Sequence, residues 1–213
     1  MTLVDAGLWC DVGPGDFAGW PALFLDRDGV IVVDTNYLGR AEDVRMIAGS
    51  AAAIARCNAR GVPVVVVTNQ SGIARGYYDW NGFAAVQAAL ATELAQAGAH
   101  LDAVLACAYH GEGHEPLRVA DHPWRKPRPG MIAAAGKRMN LDLSRSWIIG
   151  DQVHDLATGL AAGLAGGTLL AAADPERRKA AALAGARFTV ATASNLAAAV
   201  SGLIEQGWPG TTG

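Results

Sequence analysis

The run Pro63-Val64-Val65-Val66-Val67 constrains this chain more than any other stretch. Valine is stiff at χ1 and fits a pleated strand, whose successive side chains point to opposite faces. Four in succession therefore bury both faces, which marks a central strand of a parallel sheet. Parallel neighbours cannot be joined by a tight turn, so helices must alternate with the strands. The rest of the chain supplies that alternation. Strands are predicted at Ala22–Leu25, Leu101–Cys107, Ser146–Ile149, Thr168–Leu170 and Phe188–Val190. Between them the spacing predicts helices from Ser50 to Asn58 with Ser50 as N-cap and Gly61 just past the end, from Asp79 as N-cap through Phe83, Val86, Leu90 and Leu94, over Met131–Met139, over Leu156–Leu164, and from Ser194 or Asn195 to about Glu205. The expected fold class is α/β, a doubly wound parallel sheet in three layers with no large cap domain.

With 213 residues, one domain is expected: residues 21–207, preceded by an irregular extension at 1–20 and followed by a tail at 208–213. Trp9 and Trp20 are read as covers for one end of the core. Hydrophobic residues make up 51% and charged residues 17%, which excludes extensive disorder. The formal net charge is −3 without any Lys/Arg block, which argues against nucleic-acid and anionic-membrane partners. Gly, Asp and Arg interrupt every candidate for the ~20-residue apolar run of a membrane helix. The N-terminus lacks the pattern of a secretory signal, and Cys10, Cys57 and Cys107 are too scattered for a disulfide framework. A monomer in the cytoplasm is the expectation.

Functional side chains sit where the strands stop. The first predicted strand ends at Asp26-Arg27-Asp28-Gly29, with acids at i and i+2 facing the same way. Such a pair can share a metal or divide nucleophile and proton-transfer roles. The valine strand ends at Thr68-Asn69-Gln70-Ser71-Gly72, a row of hydrogen-bonding side chains suited to an oxyanion. Lys126 follows the third strand by one loop, and Asp151 follows the fourth, with Asp155 four residues on. All carboxyl ends of a parallel sheet lie on one edge, where ligands bind in such folds. The set suits phosphate held against a hard cation, with Asp26 and Asp151 among the oxygen ligands of Mg²⁺.

These motifs, in this order, resemble those of the haloacid dehalogenase (HAD) superfamily. Thr68-Asn69-Gln70-Ser71-Gly72-Ile73-Ala74-Arg75-Gly76 and Arg125-Lys126-Pro127-x-Pro129-Gly130 are similar to the branch that holds the heptose 1,7-bisphosphate and histidinol-phosphate phosphatases. The likeness covers about residues 22–172. It implies a phosphatase acting on a small phosphorylated sugar through an aspartyl-phosphate, with heptose bisphosphate ahead of histidinol phosphate or a broad sugar-phosphate range. It implies Asp26 as nucleophile, Asp28 as acid and base, and Thr68 and Lys126 as holders of the transferring phosphoryl group. Mg²⁺ would lie on Asp26, the Asp28 carbonyl and Asp151, with Asp155 behind them orienting Lys126 or a water. Asn69, Ser71, Arg75 and Arg125 are the candidate substrate contacts, with Arg128 a further cation nearby. A silent phosphate-binding domain is the non-enzyme alternative, and the intact Asp26/Asp28 pair speaks against it.

One loop departs from the branch, which often holds a structural zinc on a Cys-x-His pair and a later Cys-x-Cys pair. Here those positions read Cys107-Ala108-Tyr109 and His122-Pro123-Trp124. Cys107, His110, His114 and His122 form an alternative tetrahedral set. The preferred reading is a loop held without metal by Tyr109, Trp124 and Pro116 or Pro123.

Overall fold

The computed structural model describes residues 3–210, and the valine run lies deep in its single sheet. The strands are β1 (Leu3–Asp5), β2 (Leu8–Val12), β3 (Leu23–Leu25), β4 (Val64–Asn69), β5 (Ala103–Cys107), β6 (Trp147–Gly150), β7 (Gly166–Leu170) and β8 (Thr189–Ala193). The helices are α1 (Ser50–Asn58), α2 (Ser71–Ala74), α3 (Trp80–Gln96), α4 (Gly130–Met139), α5 (Val153–Ala161), α6 (Asp174–Ala181) and α7 (Leu196–Glu205). The sheet order is β1-β2-β5-β4-β3-β6-β7-β8. From β5 to β8 every neighbouring pair is parallel; β2 joins β5, and β1 joins β2, antiparallel.

The four valines divide as strand geometry demands. Val64 and Val66 enter the core formed with α1, α3 and α7, whereas Val65 and Val67 enter the core under α4, α5 and α6. All four are fully buried. Each such side chain contributes roughly 1.5–3 kcal/mol, so together they rival the ~5–15 kcal/mol net stability of a whole domain. A one-residue slip would send every side chain to the wrong face, and the register of β4 is thereby pinned.

Asp79 and Asn195 cap their helices as expected, accepting from Gly82 N and Ala198 N at 2.9 Å. Ser50 does not cap α1. That position belongs to Gly49, at φ +83°, and the Ser50 hydroxyl instead donates to the Ile31 carbonyl at 3.0 Å inside the core. The expectation that 1–20 is irregular is also corrected. Residues 3–12 form the β1–β2 pair, because Leu8, Trp9 and Cys10 have core to enter once β5 offers its edge. Trp9 covers an edge of the core against Trp80 and Phe83 rather than its end. Of the tail, Trp208 is anchored by its indole N–H on the Arg145 carbonyl at 2.9 Å, and residues 211–213 lie outside the described range. Between Asp28 and β4 the chain makes one α-helix, α1, and between β4 and Lys126 it makes α2, α3 and β5. Neither span contains a cap-sized domain, so the carboxyl edge of the sheet stays open.

Candidate active site

β3 runs between β4 and β6, with Leu25 level with Val66 on one side and Ile149 on the other. This register delivers Asp26, Thr68 and Asp151 to one edge. The Asp26 carboxylate is fixed at both oxygens: Oδ1 accepts from the Arg27 N–H at 2.7 Å, and Oδ2 lies 2.9 Å from Lys126 Nζ. Lys126 comes from the loop after β5 and is placed by Asn69. The Asn69 carboxamide accepts from Lys126 N at 3.0 Å and donates to Lys126 O at 3.2 Å. That amide, expected to meet substrate, is thus taken up by the lysine's own peptide.

Asp155 is buried and does two things. Its Oδ1 lies 2.7 Å from Lys126 Nζ, and its Oδ2 accepts from Gln152 N at 3.0 Å to close the capping box that starts α5. Two glycines permit this closeness. A Cβ on Gly29, which also sits at φ +75°, would collide with the Asp151 carboxylate, and one on Gly150 with that of Asp155.

Asp26, Asp151 and Asp155 each present a carboxylate oxygen within 4.8 Å of the others. With all three ionised, one ammonium leaves a surplus of two negative charges. Burial, opposed by Lys126 and reinforced by Asp155 and Asp28, pushes Asp26 up to about 7. Burial and then Asp155 push Asp151 up to about 6. Burial works against the Lys126 charge, but Asp155 and Asp26 outweigh it and hold its pKa above the usual lysine value. An all-oxygen set with a surplus of two negative charges fits a hard divalent cation such as Mg²⁺.

A second network, around Asp28, was not foreseen. Arg27 is fully buried, with its guanidinium 5.4 Å from the Phe83 ring centroid. It grips Asp28 through Nε–Oδ1 at 3.0 Å and Nη2–Oδ2 at 2.8 Å. Gln70 completes the hold, donating to Asp28 Oδ2 at 3.1 Å and accepting from Arg27 at 3.1 Å and from the Tyr78 hydroxyl at 2.6 Å. Gln70, read as an oxyanion donor, therefore orients a carboxylate. Local sequence carries no signal for this role of Arg27, because Gln70, which shares the hold on Asp28, lies 43 residues on.

A cavity of about 290 Å³ lies at this edge, lined among others by Asp26, Asp28, Thr68, Asn69, Ser71, Arg125 and Asp151. Arg125 is held there by a hydrogen bond to the Tyr109 carbonyl at 3.1 Å. Arg75 is not in the lining; it pairs with Glu112 at 2.7 Å and lies 3.3 Å from His110 Nε2. Arg128 lies 3.7 Å from Asp121 and lines a separate hollow. The alternative zinc set is not gathered. Among the described residues the one cluster with metal-binding geometry is Asp26, Asp151 and Asp155. Cys107 is buried in the core, His110 Nδ1 accepts from Glu112 N, and the His122 ring stacks on Tyr109 with centroids 4.2 Å apart.

Acids and an ammonium converging on the carboxyl edge of a capless, doubly wound sheet define a hydrolase of the HAD type. The family model described as "HAD-hyrolase-like" matches residues 123–197, which include Lys126, Asp151 and Asp155. The D-glycero-beta-D-manno-heptose-1,7-bisphosphate 7-phosphatase of Mesorhizobium japonicum is 51% identical over 170 residues, 79% of this chain and 78% of that one. The enzyme of the same name from Rhodopseudomonas palustris is 44% identical over 68% of this chain and 81% of its own. The crystal structure of D,D-heptose 1,7-bisphosphate phosphatase from B. bronchiseptica, complexed with magnesium and phosphate, superposes with a TM-score of 0.72 at 30% identity, over 87% of this chain and 99% of that one. The chain belongs to the HAD-like phosphatases, in the family of these heptose bisphosphate phosphatases.

Proposed function

We propose that this chain removes the 7-phosphate of D-glycero-β-D-manno-heptose 1,7-bisphosphate, with Mg²⁺ held by Asp26, the Asp28 carbonyl and Asp151. The observation that carries the reading is the buried set Asp26, Lys126, Asp151 and Asp155, whose charge surplus calls for a cation and whose open cavity admits a phosphomonoester. Bound Mg²⁺ supplies charge neutralisation, letting a carboxylate approach a phosphate dianion.

Asp26 attacks phosphorus with one carboxylate oxygen, and the bond from phosphorus to the sugar oxygen breaks. Asp28, held by Arg27 and Gln70, gives its proton to the departing alkoxide. Thr68 and Lys126 hold the equatorial oxygens, where negative charge gathers. Water then attacks the aspartyl-phosphate, Asp28 takes a proton from it, and orthophosphate leaves with Asp26 restored. Asp155 and Asn69 touch no reacting atom; Asp155 holds the Lys126 ammonium and Asn69 holds the lysine's peptide. Ser71 and Arg125, in the same cavity, contact the substrate beyond its reacting phosphate.

The test is hydrolysis of heptose 1,7-bisphosphate, histidinol phosphate and a range of sugar phosphates with Mg²⁺, with the lost phosphate located by ³¹P NMR. The heptose bisphosphate should give the highest kcat/KM and lose its 7-phosphate. A flat profile removes the substrate assignment and leaves the phosphatase class standing.

A further inference from the structure

We propose that Tyr37 and Tyr77 form an aromatic lip that binds the apolar face of the sugar ring whose phosphate this site removes. The inference rests on the phosphatase reading and extends it to the mouth of the cavity, which the reaction steps leave unused. The two rings meet with centroids 4.7 Å apart at 54°, yet they stay 44% and 61% exposed. Tyr37 lines the same cavity as Asp28, Thr68 and Ser71.

The backbone under Tyr37 is the second observation. Asn36 and Tyr37 both sit in the left-handed region, at φ +55° and +68°. For a residue as bulky as tyrosine this conformation is strained, and it persists only where the surroundings over-determine it, most often at ligand sites. The surroundings do so here. Asn36 N donates to Asp34 Oδ1 at 2.9 Å, Leu38 is buried in the core, and Gly39 lies flush against the Tyr78 ring. On its other side the Tyr37 ring rests on Gly72, where an added Cβ would stand 3.0 Å from Tyr37 Cδ1. The chain therefore holds a large ring in place at a strained position without burying it, so core packing does not account for the arrangement.

A sugar supplies what would complete it. Its hydroxyls and phosphate suit the polar floor and Arg125, while its C–H face suits an aromatic surface. With the phosphate on the floor, the ring of the sugar extends toward the wall that Tyr37 lines, with Tyr77 packed beside it.

Tyr37→Gly separates binding from strain, because glycine adopts φ +68° without penalty. The KM for the phosphorylated sugar that the wild type turns over best should rise on the order of tenfold. Its melting temperature should not fall, and inhibition by orthophosphate, which probes the floor alone, should stay within twofold. Tyr77→Ala, at a residue with ordinary φ, should raise KM in the same direction, and Tyr37→Phe should keep the wild-type KM. An unchanged KM in both Tyr37→Gly and Tyr77→Ala overturns the proposal, as does a KM rise matched by an equal loss of orthophosphate inhibition. Because the substrate is whichever sugar phosphate the wild type prefers, failure of the heptose assignment and failure of the lip are distinguishable.

Discussion

The centre of the sheet edge and the loop from Ala108 to Arg125, which reaches the same cavity through Arg125, are held together by different physics. At the centre, Asp26, Lys126, Asp155 and Arg27 are buried, and each meets an opposite charge within 3.0 Å. In the loop, order comes from the Tyr109–His122 stack, from backbone hydrogen bonds such as His114 N to Ala74 O at 2.7 Å, and from an exposed Arg75–Glu112 pair. Removing one member of a buried pair strands a charge in a medium that cannot solvate it. Removing one ring from a half-wet stack lets water in. The first region should therefore respond steeply to substitution and the second gently.

Asp26→Asn should sharpen that contrast most. The carboxamide keeps the shape and removes the proposed nucleophile, so turnover should drop on the order of 10³-fold or more with the fold intact. Steady-state kinetics with circular dichroism would check this, and substantial retained activity would end the covalent scheme. Lys126→Met comes next. It leaves Asp26 and Asp155 facing each other without their shared cation, a loss of ~3–5 kcal/mol in a buried site. Denaturant unfolding without metal should show it, and a fall in turnover should accompany it; a shift under 1 kcal/mol would mean the centre is no steeper than the loop.

A third effect is read in pH. Asp26 and Asp151 have folded-state values near 7 and 6, above the ordinary 3.8. Between those limits the metal-free fold binds more protons than the unfolded chain, so its stability should fall as pH rises through the window. Mg²⁺ competes with those same protons, and the rise in melting temperature it gives should be larger at pH 7.5 than at pH 5. Equal rises at both would separate the cation from these acids. The smallest effect is expected from His122→Ala, about 0.5–1.5 kcal/mol from the lost stack and a rise of a few-fold in KM through the loosened Arg125. If it destabilised as much as Lys126→Met, the contrast would break.

The centre was legible in the sequence because strand ends are. Val64–Val67 fixed a doubly buried strand, and Asp26, Thr68 and Asp151 each follow such a run directly. What escaped reading depended on partners far away in sequence. Arg27 reads as a spacer between acids until Gln70 and Tyr78, more than forty residues on, are seen beside it. Asn69 reads as a ligand until the Lys126 peptide arrives to take up its amide. β2 was invisible because a short run after Gly7 gains strand character only from the edge of β5. α6 was missed for the opposite reason: of its eight residues only Ala180 is buried, so no apolar stripe announces it.

Asp155 starts a helix with one carboxylate oxygen and steadies an ammonium with the other. The first turn of α5 and the amine beside Asp26 thus share one atomic hinge, and neither can drift without dragging its companion. Efforts to retune this enzyme by sliding or recapping that helix will be registered at the reacting phosphorus, so libraries meant to spare the chemistry should leave Gln152 through Asp155 untouched.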